Sequence, residues 1–469
     1  MKRASNRIQR NQTCAFERLE ERQHFSVYTV TNANDSGAGS LRQAILNVNA
    51  DKGTTADTIK FSIGTGAQTI NLKSALPIIT HGVVIGGSTQ PGYSGTPLIT
   101  LKVSGAAVGL ALAAPNSDID NLSIIGGSTG IEATGNGETI QENEIKSTSG
   151  TGIDLLNSSN DFLTYNLITS AGSQSIHARG ASTGNEIDYN SINKSGDTGI
   201  ELDSASKDNQ IENDTIENGL QGGIVVESDS NTIEENYVGG NALSGIDVSG
   251  SHNTISQNSV DGNGGGLSFE GYAAGPSTYS GGNYNSVTLN TVEYNKTEGV
   301  TFNDVHNDVF AQNTVAMNDG FGVTVLEGID DTISQNQIFG NTQAGISLEA
   351  NGDHDQPAPE LDQSVYHGTE TDVTGKLLGP AKTTYTVEFF GNPLGGGQGN
   401  VYLGSATVKT NAKGYVLFTE KLQATTSPGE TVTATATSTA GDTSIFSNAV
   451  IGQAYTNPLL KPVRPTLLL

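Results

Sequence analysis

The chain has 469 residues, 34% of them apolar, with 59 Gly, 13 Pro and no Trp, a composition that demands many turns and excludes a disordered chain. Its 23 basic and 49 acidic residues give a formal net charge of -26, which opposes nucleic acid and anionic membrane surfaces and makes cations the natural partners. No apolar run approaches the roughly 18 residues of a membrane span, and the single cysteine, Cys14, rules out an intramolecular disulfide framework and a cysteine metal cage.

Residues 1–24 include Lys2, Arg3, Arg7 and Arg10 without the apolar stretch of a secretory signal, so they read as a disordered basic leader. Within it, Leu19-Glu-Glu-Arg22 is similar to the LE-x-R element near the start of many bacterial surface proteins. Further on, Leu41, Ala44, Ile45 and Val48 share one helical face, and Ser40 with Gln43 fits a capping box. This predicts one short amphipathic helix over residues 40–49.

After Asp57 the pattern turns to short apolar strands, at Ile59 to Ile63, Thr69 to Leu72, Val83 to Ile85, Ile99 to Val103 and Leu110 to Ala113. From about Ile140 a repeat Ile-x-x-Asn-x-Ile sharpens. Its Asn positions are Asn143, Asn166, Asn190, Asp214, Asn236, Asn258, Asn290, Asn313 and Asn336, at spacings of 23, 24, 24, 22, 22, 32, 23 and 23. A second column, Gly-Ile-x-Leu and its variants, keeps the same period from Gly130 to Gly345. Two columns with one period of 20 to 25 residues mark a solenoid, whose stacked coils share one core. The dense leucine pattern of leucine-rich repeats and the calcium-binding nonapeptide are both absent, which leaves a parallel β-helix with coils about 4.8 Å apart. The Asn column is then a ladder of buried amides, each bonding the next, and Asp214 its weak rung because a carboxylate has no donor.

With these columns in view, the chain resembles bacterial right-handed parallel β-helix proteins of the pectin-lyase-like superfamily, in particular those opening with a CSLREAI-type segment. Here that segment is Gly39-Ser-Leu-Arg-Gln-Ala-Ile45, with Gly39 in place of the Cys, and the likeness continues through residues 76–95. The resemblance implies that the 40–49 helix caps the open end of the coil, where it would block edge-to-edge pairing.

The repeat stops at the Pro- and Asp-rich NGDHDQPAPE. Longer alternating strands follow at Tyr385 to Phe390, Val401 to Lys409, Tyr415 to Thr419, Val432 to Thr437 and Ser444 to Ser447, which reads as an immunoglobulin-like sandwich lacking the usual Cys and Trp. The expected organisation is all-β: a leader (1–24), a capped β-helix (25–352), a linker (353–370), the sandwich (371–452) and a tail (453–469).

In Gly-Ile-x-Leu the middle residue and the one two places later face solvent and stack coil upon coil. That places Asp154, His177, Arg179, Glu201, Asp203, Glu227 and Asp247 in one patch on adjacent coils. The segment from Pro115 to Ala350 holds 33 acids and 5 bases, Arg179 among the latter. Stacked like charges about 5 Å apart repel, so the patch invites a cation or raised carboxylate pKa values. Calcium suits the hard oxygens of Asp154, Glu201 and Asp203 better than zinc does.

Three readings stay open. Asp154, His177, Arg179, Glu201 and Asp203 form a lyase site, with Arg179 as the base beside a calcium-held uronate, a chemistry the resembled superfamily contains. Alternatively, pairs of these carboxylates serve a glycoside hydrolase, or the face is acidic and solvated without chemistry. The 32-residue interval inserts a loop, GYAAGPSTYSGGNY, bearing Tyr272, Tyr279 and Tyr284; with Glu227 and Asp247 these are the candidate substrate-binding residues, since insertions in solenoids often line the binding face. Asn351, Asp353 and Asp355 are a thinner calcium candidate, and His81, His252, His306 and His367 read as isolated turn or surface residues. The expectation is a secreted or cell-surface protein, monomeric, that binds a polysaccharide or surface glycan or serves as a structural or adhesive component, with polysaccharide lyase or glycoside hydrolase as the alternative.

Overall fold

A computed structural model describes residues 26–105, 107–271, 281–423 and 426–455. The basic leader with Cys14 and Leu19 to Arg22, the inserted Tyr272 and Tyr279, and the tail from residue 456 lie outside them.

Three strands recur in each coil, and each strand pairs in parallel with its counterparts in the coils before and after. They build three long sheets, here A, B and C, of 13, 12 and 11 strands. Sheet A runs from Val27–Val30 to Thr332–Ser334, sheet B from Gln68–Leu72 to Gln337–Phe339, and sheet C from Val108–Leu112 to Ile346–Glu349. The register keeps like residues stacked: Ile140 over Leu163, Leu163 over Ile187, Ile187 over Ile211. Because a strand alternates its side chains, one residue in two points inward, and Ile140, Leu163, Ile187 and Ile211 are all fully buried. Each such side chain contributes about 1.5–3 kcal/mol of burial, and none could do so in a lone coil.

The glycine that opens the sheet C motif is required by close approach. At Gly199 an added Cβ would lie 2.3 Å from Ile216 Cγ2 and 2.5 Å from the Gly223 carbonyl oxygen, so any side chain there would force neighbouring coils apart. The corner between sheets A and B turns on one left-handed residue, such as Glu142, Tyr165, Tyr189 or Leu289. The next residue is the ladder Asn. Asn166 Nδ2 donates to the Ile140 carbonyl at 2.7 Å and to Asn190 Oδ1 at 3.0 Å, while its backbone N–H reaches that same Oδ1. This bonding compensates the left-handed strain, about 1–2 kcal/mol per corner.

Two further ladders accompany the expected one. Asp161, Asn185, Asn209, Asn231, Asn253, Asn285, Asp308, Asp331 and Asp353 link coil to coil between sheets C and A. Asn241, Asn263, Asn295, Asn318 and Asn341 do so between B and C. Asp353 is thus a fully buried rung rather than a linker ligand for calcium.

At the amino end, helix α1 (Leu41–Ala50) closes the coil. The Ser40 side chain accepts from Gln43 N, and Leu41, Ala44, Ile45 and Val48 are buried in the β-helix core. The reciprocal half of the capping box does not form; Gln43 Nε2 bonds Asn47 Oδ1 instead.

At the carboxyl end, seven strands join in one mainly antiparallel sheet with its own core around Tyr385, Val387, Phe389 and Val432. Glu360–Tyr366, expected as linker, is one of its strands, whereas Ser444 to Ser447 is not a strand. This domain also ends the solenoid: Ile338 and Gly399 exchange backbone hydrogen bonds, 2.7 Å each way.

Candidate functional site

The stacking expected on sheet C is what the register gives. Glu132, Asp154, His177, Glu201, Val225, Asp247 and Ser268 follow one another as direct partners. Leu156 pairs with Arg179 in the same way. The individual acids, however, have different local partners.

Asp154 is almost fully buried, and Arg179 grips it from the next coil, Nε to Oδ1 at 2.8 Å and Nη2 to Oδ2 at 2.7 Å. That hydrogen-bonded carboxylate raises the Arg179 pKa further above its usual value. A guanidinium so held is a poor base, which argues against its expected proton-abstracting role. Glu201 accepts from Gln174 Nε2 at 2.9 Å and lies 3.7 Å from His177 Nε2. Asp203 ties down the following turn, accepting from Gly180 N at 2.9 Å and Ser206 Oγ at 3.0 Å.

Asp154, Glu201 and Asp203 do not meet as a ligand set. Asp154 and Glu201 are two coils apart. Among the described residues, His/Asp/Glu ligand atoms converge within 4.8 Å of one another in two other places, Asp51–Asp57–His81 and Asp330–His354–Asp442.

Sheet C's open groove begins one step further along. A cavity of about 700 Å³ lies at the edge where the chain enters sheet C, with Asp197, Gln221, Asp247, Glu270, Lys296 and Thr297 on its walls. Small residues make the room: Gly222 and Gly265 line it where the matching position of other coils holds Thr151, Gln174, Thr198 or Glu298. Asp247 is half-buried there, and burial, with Glu270 and Glu227 nearby, pushes its pKa to about 6. Glu227 is also raised, by burial first and then by Glu201 and Asp203. Asp247 therefore keeps its proton to a higher pH than an ordinary aspartate, in the negative field of Glu270 and Glu227.

Of the expected substrate-binding residues, Asp247 lines the groove and Glu227 lies beside it. Tyr284 does not line it. It sits left-handed and exposed in the turn from sheet C to sheet A, stacked on His252 with ring centroids 5.1 Å apart. Gln221, Lys296 and Thr297 were missed as candidates because they precede the repeating motif; the run Gly264-Gly265-Gly266 was the available signal of an opening.

Several solved structures are similar to this chain. The A-module of Azotobacter vinelandii mannuronan C-5 epimerase AlgE4 matches with a TM-score of 0.55 and 15% identity, over 70% of this chain and 98% of that one. A GH87 α-1,3-glucanase catalytic domain in complex with nigerose matches at 0.45 and 16%, over 69% and 66%. The periplasmic alginate epimerase AlgG matches at 0.43 and 12%, over 69% and 83%. No curated protein sequence matches this chain. The right-handed β-helix region family matches residues 108–232 and 207–356, together more than half of the chain, and the protein belongs to that family.

Proposed function

We propose that this protein binds a neutral polysaccharide along sheet C, as a secreted or cell-surface component. The observation that carries the reading is the open groove of about 700 Å³ walled by Gln221, Thr297, Asp247 and Glu270. Carboxylates and amides in such a cleft pair with sugar hydroxyls, and a regular solenoid repeats them at intervals a glycan chain can follow. Neutral sugars fit better than uronates, because the wall acids repel a polyanion and Lys296 is the one cation among the described residues lining the groove. The AlgE4 module, named as a mannuronan epimerase, supports a polysaccharide partner only by its shared fold.

Glycoside hydrolysis is a second reading, favoured by one feature: Asp247, with a pKa of about 6, stands beside Glu270. A carboxyl group of raised proton affinity beside a second carboxylate is the minimum equipment for that reaction. A lyase using Arg179 as base has less support, given the ion pair to Asp154.

Calorimetry against neutral and uronate glycans tests the binding role, with reducing-end release followed in parallel. Neutral glycans should bind, and Asp247→Asn with Glu270→Gln should weaken binding at least about tenfold. Binding restricted to uronates, or binding that ignores both substitutions, would overturn the reading. New reducing ends lost in Asp247→Asn would select the hydrolase.

A further inference from the structure

The amino-terminal cap carries an acidic cluster outside the groove. Asp51 is the C-cap of helix α1, Asp57 opens the strand Asp57–Phe61, and His81 lies in the turn before Val83–Gly86. His81 is isolated in sequence, yet one ligand atom from each of the three lies within 4.8 Å of the others.

What marks this cluster is Asp57. Its side chain is fully buried; Oδ1 accepts from Ser26 N at 3.0 Å, whereas Oδ2 has no hydrogen-bond partner. That bare oxygen faces His81 Nε2 at 3.8 Å. Nε2 in turn donates to the Thr55 carbonyl oxygen at 3.1 Å, a hydrogen bond that a metal ion on Nε2 would replace. Asp51 is fixed in place by Ser26 Oγ on Oδ2 at 2.9 Å and by Gly53 N on Oδ1 at 2.6 Å. Leaving a carboxylate oxygen buried and bare is costly, and a second carboxylate beside it adds repulsion. One dication would remove both penalties. Ligand atoms about 2.0–2.2 Å from a common ion stand roughly 3–4 Å apart, which matches the 3.1 and 3.8 Å separations.

We propose that Asp51, Asp57 and His81, with the Thr55 carbonyl, hold a divalent transition-metal ion of the zinc class that fastens the cap to the first coils. The imidazole selects against calcium and magnesium, which take oxygen ligands. The role is structural. The ligands come from the end of the helix, the first strand after it and the turn before the next strand of sheet A, so binding couples to closure of the amino end.

The Asp330–His354–Asp442 cluster serves as the internal control. There no carboxylate oxygen is left buried without a partner as Asp57 Oδ2 is; Asp442 Oδ1 accepts from Asp330 N and faces His354 Nδ1, 3.0 Å each.

The test uses the full chain after chelation, titrated with zinc, manganese or calcium chloride, and read by calorimetry, native mass spectrometry and thermal unfolding. One zinc ion should bind and raise Tm by at least about 2 °C at saturation. Asp57→Asn and His81→Ala should each abolish that rise, whereas Asp330→Asn should keep it. Asp57→Asn preserves shape and removes a buried charge, so its metal-free Tm should equal or exceed that of the parent; should it not fold, His81→Ala decides alone. The proposal is overturned if the parent binds no zinc at millimolar concentration, if zinc binding survives His81→Ala, or if calcium stabilises as well as zinc.

Discussion

Arg179 and Asp154 form a two-bond ion pair across one step of the coil, Nε and Nη2 against the two carboxylate oxygens at 2.8 and 2.7 Å. Asp154 is buried, while the Arg179 side chain is 38% exposed, so solvent screens the charge of one partner only. Arg179→Ala should therefore destabilise by about 1–3 kcal/mol, chiefly by stranding the carboxylate. Arg179→Lys should recover only part of the loss because an ammonium cannot match both oxygens. Asp154→Asn, which leaves no stranded charge, should cost less than Arg179→Ala. Urea midpoints of the three variants check the order, and equal losses in all three would remove the argument.

Asp214 is the one carboxylate in the Asn143 to Asn336 ladder. Its Oδ1 accepts from Asn190 N and Nδ2 at 2.6 and 3.0 Å, but Oδ2 is buried with no partner. At the next rung Asn236 Nδ2 donates to the Ile211 carbonyl at 2.8 Å and to Asn258 Oδ1 at 3.0 Å. Asp214 can imitate this only by keeping a proton, and burial raises its pKa well above normal. Asp214→Asn should stabilise the protein at pH 7 by about 1–3 kcal/mol, the cost of an unsatisfied buried group. The advantage should shrink as pH falls toward 4, where the carboxyl of the unfolded parent chain also begins to take up its proton. Thermal melts at the two pH values measure it, and an equal effect at both would mean that packing, not protonation, is responsible.

The same chemistry is concentrated in the last rungs of the ladder between sheets C and A. Burial, acting first, raises Asp308 to about 8, Asp331 to about 9 and Asp353 to about 8, with the Asp353 charge adding to Asp331. These groups hold protons in the folded state that the unfolded chain releases near pH 4, so their contribution is complete below that value and is lost as pH rises toward 8 or 9. Stability should fall across this window, opposite to the usual gain of carboxylates leaving acid. Asp308→Asn with Asp331→Asn should flatten the decline between pH 6 and pH 9. A parent chain whose urea midpoint is constant over that range would contradict the expectation.

How much of this was legible depended on repetition. Asn143 to Asn336 stood out because one residue type recurs at one spacing, and the same period was enough to stack Asp154, His177 and Glu201 on sheet C. The second ladder escaped notice since it mixes Asp161, Asp308, Asp331 and Asp353 with Asn, so no single letter marks it. The left-handed corners were illegible for a related reason: Glu142, Tyr165 and Leu289 have no shared preference for positive φ, and the ladder beside them imposes it. Pairings such as Arg179 with Asp154 depend on rotamers, which periodicity does not specify. The Asp51, Asp57 and His81 cluster lies in the cap, where no repeat relates one residue to another.

The carboxyl-terminal domain continues the solenoid's bonding pattern with its own side chains. Gln398 Oε1 takes the place of the next ladder amide, receiving Asn341 N at 3.3 Å and Nδ2 at 3.4 Å, while its Nε2 donates to the Asn341 and Gln343 carbonyls at 2.9 and 2.8 Å. Glu388 accepts from Ser334 Oγ and Gln335 N at 2.8 and 2.9 Å, and Thr443 Oγ1 accepts from Ile333 N at 3.1 Å. An open β-helix end would expose these groups as a template for pairing with another chain. Gln398→Ala should thus cost about 1–3 kcal/mol, the net worth of a few partly buried hydrogen bonds. Because the loss is local, amide exchange should accelerate first in the last coil, around Gln337–Phe339, with little change at Thr139–Gln141 several coils away. Uniform acceleration along the solenoid would show instead that the domain supports the whole fold, and unchanged exchange at Gln337–Phe339 would show that Gln398 is not part of the end closure.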